Sequence, residues 1–379
     1  MAGSLDQRLE NLRAGFDTVR PNARTIAALR DNPGCASRRV LDAAGIDKAK
    51  LAERLGHEGQ EGQSRFALQR GDRFEKDVKA NAFAVAIDLL RRDGFDLDAV
   101  RLLLLRDLYP IDGTGDQDVM LAKRAEETRT AILDMARAKP DSYNLVDGGA
   151  LEWDFGGAIA RLETDGIAWR FKDQIRVVEI KSFPLVDGRA DAGKVGATAW
   201  QGAVYIAAIQ DLLEANGMST DLVSTELILM LPRNTALVPT MLKVDVLRHV
   251  RTLRRLLAGQ DSIDELVAKL PAGLDLDLDG LDEEQAKDRI AAVLKAIGTS
   301  YAPSCLESCA LARYCRARAR EAHDPRHLGV EVRGALAGVP TTERAARLAE
   351  GSARPRTEEK DTAKLLAGVH RVLVQEGLV

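Results

Sequence analysis

The chain has 379 residues, 45% of them hydrophobic and 30% charged, which suits a chain with its own apolar core and excludes a disordered segment or a disulfide-dependent miniature. Its formal charge is −4 and only 4% of its residues are aromatic, which excludes a basic coat for nucleic acid and an extended platform for stacking bases. No basic-then-apolar leader opens the sequence and no apolar run is long enough to span a bilayer, so a cytoplasmic protein without membrane contact is expected.

Residues 5–60 read as helical. Leu41–Ile46 and Lys48–Leu55 form two short helices around Gly45, read as a plain hairpin, with a helix-turn-helix DNA reader as the alternative. Residues 64–95 are helical again, with Phe74, Val78, Phe83, Ala86, Ile87 and Leu90 at helical spacing. The chain continues mostly helical to about 140, broken at Pro110–Gly115. Between 143 and 182 the period changes. Gly157–Glu163, Ile167–Phe171 and Ile175–Ile180 read as strands separated by turns. A helix over 195–215 follows, then strands Thr225–Leu231 and Met241–Val246, then an amphipathic helix Val246–Leu257. This order predicts an α/β fold with a mixed central sheet flanked by helices. The expected division is a helical segment 1–63, a core 64–260, a helical segment 261–327 and a small helical appendage 328–379.

Two charges stand out on an otherwise apolar strand, in Val177-Val178-Glu179-Ile180-Lys181. Glu179 and Lys181 are two apart and share a strand face. Burial of both is costly unless they pair or bind a metal, so the strand end marks a site; an exposed ion pair is the plainer reading. Upstream, Asp154 in Trp153-Asp154-Phe155-Gly156-Gly157 is placed to meet Glu179 across neighbouring strands. Two carboxylates and a backbone carbonyl, here that of Ile180, make a hard oxygen site suited to Mg²⁺ or Mn²⁺, and Lys181 would orient water and offset charge on a phosphate. Asp165 and Asp173 fall in expected turns between them. Gln201 and Tyr205 are four apart, hence on one helix face, and Glu75 lies on the helix opened by Arg70-Gly71-Asp72.

This ordered set resembles the RecB-type nucleases of the PD-(D/E)xK superfamily over residues 65–250. The resemblance implies a restriction-endonuclease-like core. It makes Glu75 the first-motif acid near the metal, Asp154 and Glu179 the main metal ligands, and Lys181 the catalytic lysine. Gln201 and Tyr205 become the pair that supports the site or touches DNA. Many relatives carry His in place of Glu75, and the gap from Asp154 to Glu179 is longer than one hairpin needs. The implied activity is hydrolysis of DNA phosphodiester bonds, with single-stranded ends as substrate, in phage defence, CRISPR adaptation or DNA repair, alone or with protein partners. An inactive nuclease fold serving as a DNA-binding scaffold is the alternative.

The four cysteines are Cys35, Cys305, Cys309 and Cys315, one remote and three spaced Cys-x3-Cys-x5-Cys. Four thiolates suit a [4Fe–4S] cluster, with zinc as competitor. The one-plus-three arrangement around such a core resembles the iron–sulfur nucleases, including CRISPR-associated RecB-like exonucleases and AddB-type repair nucleases, whose first gap is one residue shorter. The cluster would tie the N- and C-terminal segments together. Arg38, Arg39, Arg313, Arg316, Arg318 and Arg320 lie near these cysteines in sequence and form a candidate basic patch. Asp275–Gly280 imitates a calcium loop, but Ala286 stands where a bidentate Glu is required, so it is read as an acidic turn.

Overall fold

In a computed structural model, residues 4–378 are described except 15, 17, 59–64, 95–99, 112–116, 156, 165–166, 172–173 and 235. The chain divides into two units. One comprises residues 1–18, 31–61 and 265–379, and the other residues 19–30 and 62–264.

The second unit holds the sheet. Its main elements are α1 (Arg65–Arg92), β1 (Leu102–Leu104), α2 (Gln117–Ala136), β2 (Leu145–Asp147), β3 (Ala150–Asp154), β4 (Ile159–Glu163), β5 (Ile167–Phe171), β6 (Gln174–Ile180), α3 (Ala192–Ala215), β7 (Glu226–Pro232), β8 (Pro239–Asp245) and α4 (Leu247–Ala258). Six strands form one mixed sheet in the order β1-β2-β5-β6-β7-β8, and β3 pairs only with β4 in a separate two-stranded ribbon. β1 runs parallel to β2 and β6 parallel to β7. Parallel neighbours need a crossover, and the helices α2 and α3 lie in those two connections. β5 is antiparallel to both β2 and β6, so β2 and β6 point the same way and end at the same sheet edge.

α1 lays Phe74, Val78, Phe83, Ala86 and Leu90 on one face of the sheet, against Leu145, Val178, Ile180, Ile228 and Met230. It is not one straight helix. Asn81, Ala82 and Phe83 take φ of 50°, 55° and 62°, a left-handed break between two helical halves. Both halves still reach the same core. α2 and α3 pack against β6 and against the ribbon strand β3. α3 comes close enough to β7 that a Cβ on Gly202 would lie 2.5 Å from Leu227 Cδ2. The expected strands Ile167–Phe171 and Ile175–Ile180 appear at those places, and β8 and α4 follow as expected. The region 98–140 is a correction: Leu102–Leu104, in a run of leucines that reads equally well as helix, is the edge strand β1.

The other unit is helical. Helices Ala36–Ala43 and Lys48–Arg54 both pack on Glu283–Ile297, so the N-terminal segment is joined to residues far along the chain. The described Leu41–Leu55 region is a helical hairpin turning at Gly45, which has φ of 68°. Near the C-terminus, helices Thr342–Ala349 and Lys360–Gln375 pack around Leu336, Val339, Ala345, Leu348 and Ala363.

Candidate functional site

The end of β6 carries the buried charge pair. Val178 and Ile180 belong to the α1 core, so strand alternation turns Glu179 to the opposite face. Glu179 is 0% exposed, and Lys181 Nζ lies 2.8 Å from its Oε2. The lysine stands one residue past the strand, where its backbone N–H still donates to the Met230 carbonyl at 3.0 Å. A carboxylate removed wholly from water costs several kcal/mol unless a cation and hydrogen bonds meet it. The sequence therefore keeps an expensive pair at the C-terminal end of a central strand. Just beyond, the Ser182 carbonyl accepts from Arg70 Nε at 3.3 Å, which fixes the start of α1 beside this edge.

A second charged cluster lies on the α1 face. Glu75 Oε1 accepts from Lys79 Nζ and from Arg106 Nη1, both at 2.6 Å. Lys79 Nζ also lies 2.7 Å from Asp147 Oδ1. Asp147 ends β2 at 7% exposure. Glu75 is thus drawn into a chain of alternating charges with Asp147. Asp147 and Glu179 end parallel strands at one sheet edge but leave opposite faces, because Leu145 shares the α1 core two residues before Asp147. Sequence reasoning passed over Asp147. Its signal was present in Leu145-Val146-Asp147-Gly148-Gly149, an apolar run ending in an acid before two glycines.

Asp154 is not where the sequence suggested. The neighbours of β6 are β5 and β7, while Asp154 ends β3 in the separate ribbon and is exposed. Its Oδ1 accepts from the Gly157 N–H at 2.6 Å, which is the work of a turn residue. The meeting of Asp154 and Glu179 across adjacent strands does not form. Asp165 and Asp173 lie outside the described residues. On α3, Gln201 and Tyr205 are 8% and 3% exposed. Tyr205 Oη donates to the Glu163 carbonyl at 2.8 Å, tying α3 to the end of β4. Arg124 of α2 is buried and donates to the Tyr109 carbonyl through Nε at 2.8 Å and Nη2 at 2.6 Å. Its burial lowers its pKa, which Glu163 opposes.

In the helical unit, all four cysteines are buried and line one small cavity, together with Arg38 and Lys48. Cys35 stands immediately before helix Ala36–Ala43, Cys305 lies in the turn Pro303–Glu307, and Cys315 lies in helix Ala312–Glu321. Asn32 Nδ2 donates to Cys305 Sγ at 3.3 Å. Burial pushes the Cys315 thiol well above the usual range, and Cys35, Cys309 and Cys305 push it further. Burial also raises Cys309, against the opposing charges of Arg38 and Lys48. Among the described residues, no three or more His, Cys, Asp or Glu side chains stand as a ready group for a metal ion. The candidate basic patch is divided. Arg38 and Arg39 are buried, with Arg38 donating to Ser308, whereas Arg313, Arg316, Arg318 and Arg320 are exposed. In the acidic turn, Asp275 and Asp277 accept backbone N–H groups two residues on, at 3.1 Å each.

No family model matches this chain, and no curated protein matches it. Among solved structures it is similar to a candidate exonuclease from Eubacterium rectale, at 13% identity and a TM-score of 0.25, over 68% of this chain and 84% of that one. At that TM-score the likeness carries no inference about fold or activity. No helix among the described residues is long and apolar enough to cross a membrane.

Proposed function

We propose that the chain is a divalent-metal-dependent DNA nuclease of the PD-(D/E)xK type, acting in the cytoplasm. The observation that carries this reading is the Glu179–Lys181 pair, a carboxylate with no exposure whose lysine sits at the end of a central strand. A purely structural strand has no need of it, since apolar residues of similar volume do as well or better. Lys181 would lower the charge developing on a phosphate beside Glu179. Glu179 and the Ile180 carbonyl would hold Mg²⁺ or Mn²⁺, which would supply a Lewis acid and an activated water. Asp154, expected as the second carboxylate, stands in the separate ribbon and not on a strand beside β6. Asp147 shares the sheet edge but leaves the face opposite Glu179, so it would not share an ion with it, and the sequence supplies Asp165 two residues before β5. Glu75, engaged with Lys79 and Arg106, supports Asp147, and Tyr205 holds the end of β4 in place.

The four cysteines around one cavity form a soft donor set that suits a [4Fe–4S] cluster as a structural staple, with zinc as the competitor. Single-stranded DNA ends as substrate, a setting in defence or repair, and partner proteins rest on the resemblance of the motifs alone. A second reading is a DNA-binding scaffold of nuclease fold. It is favoured by the engagement of Glu75 and Asp147 with Lys79, which leaves them less open to a metal.

The test is degradation of end-labelled single- and double-stranded DNA with Mn²⁺ by anaerobically purified protein. Wild type is compared with Lys181→Ala, Asp147→Asn, Asp154→Asn and Asp165→Asn. Cleavage abolished by EDTA and by Lys181→Ala, but kept by Asp154→Asn, supports the nuclease. A folded wild type that fails to cleave DNA with every metal supplied supports the scaffold. Iron and sulfide content against zinc content decides the cysteine site.

A further inference from the structure

The net charge of −4 leaves open where a polyanion would lie. One helix answers this. α4 has the sequence Leu-Arg-His-Val-Arg-Thr-Leu-Arg-Arg-Leu-Leu-Ala, with four arginines and no carboxylate in 12 residues. Its apolar face is set by Val250 and Leu253, which are 3% and 1% exposed, and the helix packs along α3. Arg254 turns inward to Asp211 of α3, at 2.6 Å. Arg248, Arg251 and Arg255, spaced i, i+3 and i+7, are all exposed on the opposite face. None of the three enters an ion pair among the described residues; Arg255 donates to the Thr252 hydroxyl within the helix. Helix Ala312–Glu321 has a comparable run, but there Arg318 pairs with Glu321 and Arg313 donates to the Glu58 carbonyl.

We propose that Arg248, Arg251 and Arg255 of α4 form a docking stripe for the phosphate backbone of DNA. The inference rests on the nuclease reading and locates its substrate's backbone on the same unit as Glu179. The stripe is about 10 Å long at about 1.5 Å per residue, and at about 3.4 Å of rise per phosphate it spans about three phosphates of one strand. Arginine suits the task because its planar fork meets phosphate oxygens in pairs. No base edge is read by such a stripe, so binding through it is indifferent to sequence and sensitive to salt.

The test is equilibrium binding of a fluorescent single-stranded oligonucleotide to the full chain in EDTA, so that cleavage plays no part. The affinity is followed from 50 to 200 mM salt. Loss of three phosphate contacts on a single strand lowers the slope of log affinity against log salt by about 2.1, which removes about 18-fold of the weakening across that range. Arg248→Gln/Arg251→Gln/Arg255→Gln should show that loss, Arg251→Gln alone about a third of that loss, and Arg313→Gln/Arg316→Gln/Arg320→Gln little. A triple variant with unchanged slope overturns the proposal, as does a slope carried by the Arg313 set. If the α4 triple does not fold, the single variant decides. Vesicles containing an anionic phospholipid form the third arm, and binding to them that alone depends on α4 overturns the DNA assignment. Failure of the nuclease reading shows differently, as DNA bound with the full slope but never cut.

Discussion

Replacing Lys181 with methionine removes the cation and keeps most of the side-chain volume. It leaves Glu179, with no exposure, without the ammonium now 2.8 Å from its Oε2. Breaking a buried pair from one side costs about 3–5 kcal/mol. For a unit of this size each kcal/mol lowers Tm by about 2–4 °C, so Lys181→Met should unfold about 6–20 °C below wild type. Glu179→Met/Lys181→Met removes both charges together, and most of the lost stability should return, because a well-packed apolar pair is about as stable as a buried ionic one. Stability and activity therefore separate. Thermal and urea unfolding of the four members of the cycle give the coupling energy, and the DNA degradation assay is run on the same samples. Both variants should be inactive, although only the single one is unstable. A single variant that loses less than about 1 kcal/mol would show that Glu179 is not held by Lys181. A double variant that still cuts DNA would show that the pair is structural and would remove the basis of the proposed function.

Other outcomes follow from single features. Glu359, held by Arg344 and the Arg356 backbone N–H, is pushed down from 4.5 to about 2. A depressed acid stabilises fully above its unfolded pKa, so the C-terminal helices should lose stability as pH falls from about 4.5 towards about 2. Glu359→Gln should flatten that dependence in acid unfolding followed by circular dichroism. Gly202→Ala places a Cβ 2.5 Å from Leu227 Cδ2 in the core between α3 and β7. It should lower stability by about 1–3 kcal/mol in urea without changing the slope of the transition. Because burial keeps Cys309 and Cys315 as thiols, loading the cavity must release protons. Reconstitution with iron and sulfide in weak buffer should acidify the medium, and Cys315→Ser should lose most of the bound iron. Iron retained by that variant would place the cluster elsewhere.

What the sequence determined by itself was local. Glu179 and Lys181 were legible because two charges on an apolar strand violate its period, and that violation needs no knowledge of neighbours. Glu75, Gln201 and Tyr205 were placed on the right helices because helical spacing is equally local. The clustering of Cys305, Cys309 and Cys315 was visible in spacing, while their company with Cys35 around one cavity depends on helices Ala36–Ala43 and Glu283–Ile297 packing together. Only tertiary structure decided which acid shares the edge with Glu179. β3 and β4 lie between β2 and β5 in the chain yet stand outside the main sheet, so sequence nearness did not reveal that Asp154 lies off that sheet and Asp147 on it. Strand order is set by long-range burial of whole faces, such as that of α1 against β2, β6 and β7, and no window of sequence contains that information.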